Sequence, residues 1–154
     1  MDNFFMKKAL EEAKEAYNLK EVPIGAVIAK KGKIVGLGHN EKETSLDTTN
    51  HAEIIAIKEA SKNLKSWRLN DCTMYVTVEP CPMCAGAIIN SRIKELVIGT
   101  MDSKGGACGS VYNIVEDDNL NHKVKVRRGI MEEECSNIMK DFFKKLREGE
   151  KIWY

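Results

Sequence analysis

Two short stretches bring together residue types that act on metals and protons: His51-Ala52-Glu53 and Pro80-Cys81-Pro82-Met83-Cys84. One histidine and two cysteines make three soft or borderline ligands, a set that suits zinc. A catalytic zinc keeps its fourth position open for water, and three protein ligands leave it open. The i, i+3 spacing of Cys81 and Cys84 puts both sulfurs on one side of a helix's first turn. Exposed N–H groups and the helix dipole there favour thiolate, the form that binds metal. Glu53 follows His51 too closely to be an independent ligand, yet is close enough to exchange a proton with water at the open position. Zinc lowers the pKa of such a water to roughly 7. A neighbouring carboxylate can take that proton and return it to a leaving nitrogen.

Each piece has another reading when taken alone. A histidine at a helix start can be a cap, a glutamate on a helix can be solvated, and Cys-x-x-Cys can be a redox pair or half of a structural zinc site. No thioredoxin-like strand pattern precedes the cysteines, which weakens the redox reading. A four-ligand structural site would need one more residue, and Cys108 or His39 could supply it. The joint occurrence of the pieces, in this order, favours catalytic zinc. Water attack on an amidine-like ring carbon followed by loss of ammonia is hydrolytic deamination. The order H-x-E, then P-C-x-x-C, is the pattern of zinc deaminases.

These residues need elements to hold them. Apolar or small positions at Phe4, Phe5, Ala9, Leu10, Ala13, Ala16 and Tyr17 have helical spacing over 3–18. Pro23 precedes a strand, IGAVIAK, and Lys31-Gly32 turns it into a second, KIVGLGHN, so the two form a hairpin. A polar loop, 40–49, leads to a helix over about 51–62, which Asn50 or Thr49 would cap. The β-branched run TMYVTVE, 73–79, is the central strand, stopped by Pro80. A short helix over 82–90 starts at Pro82, a first-turn residue. ELVIGT is a strand, KGGACGS a flexible loop, KVKVRR an alternating strand. A closing helix over 131–147 carries Met131, Cys135, Ile138, Met139, Phe142, Phe143 and Leu146 on its apolar side. Strand–helix alternation after residue 50 points to an α/β fold, with helices on both faces of a mixed sheet. The strands at 73–79 and 95–99, joined by a helix, should run parallel.

With 154 residues and no linker-like segment, the chain is expected to be a single domain, 1–154. It is 43% hydrophobic and 31% charged, with a formal net charge of +1. That charge gives no global attraction to nucleic acid, so any such binding needs a local basic patch. No run is apolar enough for a membrane span, and the N-terminus lacks a signal-peptide pattern. Five cysteines, at uneven spacing, argue against a disulfide framework and for a cytoplasmic protein. Cys72 and Cys135, with apolar neighbours, read as core residues. Basic residues gather at Lys123, Lys125, Arg127 and Arg128, and Phe142-Phe143 precede Lys144, Lys145 and Arg147. Aromatics beside basic residues suit single-stranded nucleic acid. One of two adjacent phenylalanines on a helix must face the core.

At the metal motif the chain resembles the cytidine deaminase superfamily. Within it, the chain is similar to the tRNA-specific adenosine deaminases of bacteria, which form inosine at the anticodon wobble position. The matching stretches are EVPIGAVI, GHN, SWRL, YVTVEPCPMCAGAI, SRI, KGG, Asn121-His122 and DFFKKLR. The metal motif is shared with deaminases of guanine and cytosine; the later stretches point to the tRNA enzymes. The resemblance implies a three-layer α/β/α fold with a five-stranded mixed sheet, one Zn2+ per subunit, a homodimer and a tRNA anticodon loop as substrate. It implies His51, Cys81 and Cys84 as ligands and Glu53 as the acid/base. Asn40 would hydrogen-bond the base or ribose, Ala52 and Glu79 would lie by the base through backbone groups, and Ile24 would pack on it. Asp102, Lys104, Asn121, His122, Phe142, Phe143 and Arg147 would help hold the anticodon loop. The family places a small residue before the histidine, where this chain has Asn50. Two other readings stand beside it: a deaminase of a free base such as guanine or cytosine, and a non-catalytic zinc-stabilised RNA-binding module.

Overall fold

Along the inner strands apolar residues occupy both faces, so the sheet must be covered on both sides. A computed structural model describes residues 1–149; the last five residues of the expected 1–154 domain lie outside the described residues. Helix α1 (Asp2–Asn18) leads into the hairpin β1 (Gly25–Lys30) and β2 (Lys33–His39). Then come α2 (Lys42–Ser45), α3 (Ala52–Leu64), β3 (Cys72–Val78), α4 (Pro82–Asn90), β4 (Glu95–Thr100), β5 (Lys125–Arg128) and α5 (Glu132–Arg147). The five strands form one sheet in the order β2-β1-β3-β4-β5. β1 pairs antiparallel with both β2 and β3, while β3–β4 and β4–β5 are parallel. The sheet is therefore mixed, β3 is its centre, and the β3–α4–β4 crossover gives the parallel pair its connection requires.

Alternation along the strands sorts the core into two layers. Val27, Ala29, Tyr75 and Val97 face one way and pack with Phe5, Met6, Ala9 and Leu10 of α1 and Cys135 of α5. Ala26, Ile28, Met74, Val76, Leu96 and Ile98 face the other way, against Ala52, Ala56 and Ala60 of α3 and Ala85, Ile88 and Ile89 of α4. This is a three-layer α/β/α arrangement. Among the described residues no helix is long and apolar enough to cross a membrane.

The placement of α3 follows from its alanines and from two glycines of β2. Cβ atoms at Gly36 and Gly38 would collide with the carbonyl oxygens of Ala56 and Ala52. Without them, helix backbone lies directly on strand backbone, which fixes where α3 begins and so where His51 sits.

Three local expectations need correction. The 40–49 segment holds a turn of helix, α2, whose first-turn N–H groups of Glu43 and Thr44 donate to the buried carboxylate of Glu21. Neither Asn50 nor Thr49 caps α3: the N-cap is His51, and Asn50 Nδ2 instead donates to Ser45 Oγ at 2.8 Å. The 104–110 loop is not loose, because Ala107 and Cys108 are fully buried in the larger core layer.

Candidate metal centre and cleft

The metal motif residues sit at two helix starts that the sheet brings side by side. His51 is the N-cap of α3 and Cys81 the N-cap of α4, with Pro82 at the first helical position. Cys84 follows three residues later, on the same turn. A proline on either side of Cys81 ends β3 and begins α4, because proline lacks the ladder N–H yet fits a helix's first turn. The one His and two Cys ligand atoms lie within 4.8 Å of one another, the group among the described residues that could hold a metal. His51 Nδ1 is 3.6 Å from Cys81 Sγ and 3.5 Å from Cys84 Sγ. Zinc bonds of ~2.0–2.1 Å to nitrogen and ~2.3 Å to sulfur at a tetrahedral angle would separate these atoms by about 3.5 Å. The residues fit zinc.

Neither candidate fourth ligand joins. His39 is turned to the carboxylates of Glu12, 3.0 Å from Nδ1, and Glu41, 3.6 Å from Nε2. Cys108 is buried elsewhere in the core, with its thiol pushed up by burial. Three protein ligands is the count a catalytic site uses.

The three ligands share their protons unevenly. The hydrogen bond from Cys84 pulls the Cys81 thiol down to about 4, against burial and with help from His51. Cys84, beside that thiolate, is pushed strongly upward. His51 is raised first by its hydrogen bond with Cys81. Glu53, in the first turn of α3, is only 3% exposed, and burial raises its carboxyl to about 7.

His51, Glu53 and Cys81 open onto a cleft of about 800 Å³. Its wall also includes Ile24, Asn40, Glu79, Asp102, Lys104, Phe143 and Arg147. Asn40 holds the start of α3: its Oδ1 accepts the Ala52 N–H at 2.9 Å, and Ala52 itself is fully buried. The Glu79 carboxyl is pushed up by burial, but hydrogen bonds from Ser110, Asp102 and Cys108 outweigh that and hold it below its ordinary value.

Other expected residues lie elsewhere. Phe142 is buried against Tyr17 and Phe143, with ring centroids 5.8 and 5.3 Å away, and has no surface to offer an RNA. Asn121 and His122 do not line the cleft; His122 Nε2 lies 2.7 Å from the Ile93 carbonyl. The basic cluster around β5 is largely tied up. Lys123 pairs with Asp118, Arg127 with Asp2 and Glu95, and Arg128 with Glu116. Sequence reasoning missed Ser136, Met139 and Lys140, which share the cleft with Phe143 and Arg147. Their spacing along α5 is a helical stripe, and that periodicity was the available signal.

Residues 1–147 match the family model of the MafB19-like deaminases. The chain is 45% identical over 150 residues to the tRNA-specific adenosine deaminase of Bacillus subtilis (strain 168), covering 97% of this chain and 93% of that protein. It is 47% identical over 152 residues to the tRNA-specific adenosine deaminase of Haemophilus influenzae, covering 98% and 88% respectively. A solved structure from studies of A-to-I editing by tRNA:A34 deaminases at the wobble position of transfer RNA matches with a TM-score of 0.85 at 40% identity. That match covers 88% of this chain and 98% of the other.

Proposed function

The chain belongs to the MafB19-like deaminase family, and from that premise we propose that it hydrolyses adenosine to inosine at the wobble position of a tRNA anticodon. The observation that carries this reading is the three-ligand cluster of His51, Cys81 and Cys84 beside the buried Glu53, at one cleft. The near-full-length likeness to tRNA-specific adenosine deaminases supports the substrate.

His51 Nδ1 and the sulfurs of Cys81 and Cys84 would hold one Zn2+ per chain. When bound there, zinc supplies the Lewis acidity that makes water nucleophilic at neutral pH. Glu53 accepts the proton of the attacking water and delivers it to the departing nitrogen, so one water is consumed and one ammonia leaves. Its burial keeps competing solvent from that proton. Asn40, its oxygen committed to Ala52, has its Nδ2 to offer the base or ribose. Ile24 packs on the base, and the backbones of Ala52 and Glu79 border it. Phe143, Arg147, Asp102 and Lys104 hold the anticodon loop by stacking and charge. Phe142 backs Phe143, and Asn121 and His122 serve from beyond this cleft. The reading takes 1–154 as a single domain, in a homodimer, in the cytoplasm where tRNA is.

Ammonia release by zinc-loaded protein is the test. The panel holds an anticodon stem-loop with adenosine at the wobble position, free adenosine, adenine, guanine and cytosine. Turnover of the stem-loop alone is expected. Turnover of a free base with an inert stem-loop would move the protein to small-base salvage.

A further inference from the structure

The loop after β4 has no regular element over 102–110, yet it is held in place, and Glu79 is the reason. The Glu79 side chain, only 4% exposed, accepts four hydrogen bonds from this loop. Asp102 N–H at 2.9 Å and Ser110 O–H at 2.5 Å donate to Oε1. Cys108 N–H at 3.0 Å and Ser110 N–H at 2.9 Å donate to Oε2. An ionised carboxylate is acceptor-only, with about four lone-pair sites, so the loop fills its capacity. Further ties hold the same stretch: Ala107 N–H donates to the Pro80 carbonyl at 2.8 Å, and Arg128 donates to the Cys108 carbonyl at 2.7 Å. Gly106 passes so close to Glu79 that a Cβ there would strike the carboxyl carbon and both oxygens. The loop begins with Asp102, Ser103 and Lys104, three consecutive residues of the cleft wall.

We propose that Glu79 is a positioning residue: its buried carboxylate templates the 102–110 loop and thereby sets where Asp102, Ser103 and Lys104 stand along the cleft. The role belongs to the side chain, separate from the backbone contact with the base given above. A neutral amide cannot replace it, because an NH2 group would face donors. The consequence for substrate, though not the clamp itself, rests on the deaminase reading. Mispositioning these three residues weakens substrate capture while the metal cluster and Glu53 stay intact.

The test compares full-length zinc-loaded wild type with Glu79→Gln, and with Gly106→Ala, which presses on the carboxylate from the loop side without altering it. Backbone hydrogen exchange at 102, 108 and 110 is expected to accelerate about tenfold or more in both variants. KM for the anticodon stem-loop is expected to rise about tenfold, with kcat within about twofold and one zinc per chain retained. Unchanged exchange in both variants overturns the clamp. Accelerated exchange with an unchanged KM, or a loss confined to kcat, overturns its role in substrate placement. Exchange needs no substrate, so a wild type inert on the stem-loop would sink the tRNA reading and leave the clamp to be judged by exchange. The KM comparison would then be made on whichever base of the panel the wild type turns over.

Discussion

Asn40 Oδ1 accepts the Ala52 N–H at 2.9 Å, so the residue that follows β2 holds the first residue of α3, next to its N-cap His51. A side chain on the cleft wall is thereby also a fixing point for a metal ligand. Asn40→Ala should leave that buried N–H unpaired and cost about 1–2 kcal/mol of stability. Asn40→Asp should restore the acceptor, and with it most of the stability, but not the amide donor. Both variants should lose kcat/KM by about tenfold or more. Thermal melts and steady-state kinetics on the two variants check this; full activity in Asn40→Asp would remove the donor from the proposed role.

Glu53→Ala should bind zinc as the wild type does and lose turnover by about 10²–10⁴-fold. Metal analysis and single-turnover assays on the same preparation separate the two quantities. A variant that keeps its zinc and its rate would dismiss Glu53 as the proton carrier.

Removing the metal should abolish turnover, and adding back one equivalent of Zn2+ should restore it. The half-buried thiol of Cys81 should become titratable by a thiol reagent on chelation, whereas the buried Cys72, Cys84, Cys108 and Cys135 stay silent until the protein unfolds. Five reactive thiols in the folded, chelated protein would contradict the burial of the other four.

Arg127 clamps the N-terminus to the sheet, donating to Asp2 at 2.8 and 3.1 Å and to Glu95 at 2.6 Å. Both carboxyls are held below their ordinary values of 3.8 and 4.5, with the hydrogen bond from Arg127 as the first cause. Depressed folded values mean that this stability is fully present above those ordinary values and is lost as pH falls through the folded ones. Arg127→Ala should therefore cost about 1–2 kcal/mol near neutral pH. The gap between wild type and variant should close below about pH 4, as urea melts across pH would record. A gap that persists undiminished into acid would assign the loss to packing instead of charge.

Gly38→Ala should destabilise the fold by about 1–3 kcal/mol, because its Cβ meets the Ala52 carbonyl oxygen at the start of α3. Zinc affinity should fall with it, since α3 can yield only by carrying His51 along. Denaturation midpoints and competition with a zinc chelator measure both; a destabilised variant with wild-type zinc affinity would uncouple helix seating from the metal.

Much of this architecture is written locally. The hairpin shows in Lys31-Gly32 between two apolar runs, α4 in Pro82, and the ligand set in His51, Cys81 and Cys84, because each depends on neighbours a few residues away. What escaped sequence reasoning depends on distant partners. Asn50 looks like a helix cap, but Asn40, which follows β2, holds the Ala52 N–H instead. KGGACGS has a loop's composition, and nothing near it announces that the Glu79 carboxylate, some 30 residues upstream by the Ser110 separation of 31, will organise it. The apolar side of α5 divides into two stripes, with Cys135 and Phe142 buried and Met139 and Phe143 on the cleft. Helical spacing alone does not distinguish those neighbours.

The metal cluster and Glu53 are complete once α4 begins, whereas α5 lends the cleft Ser136, Met139, Lys140, Phe143, Leu146 and Arg147 and contributes nothing to the cluster. The metal cluster and one wall of the cleft thus come from separate stretches of one chain. Drift in the final helix can retune which molecules are admitted while the reaction is kept, a modular route by which a lineage can explore new substrates without first losing its catalyst.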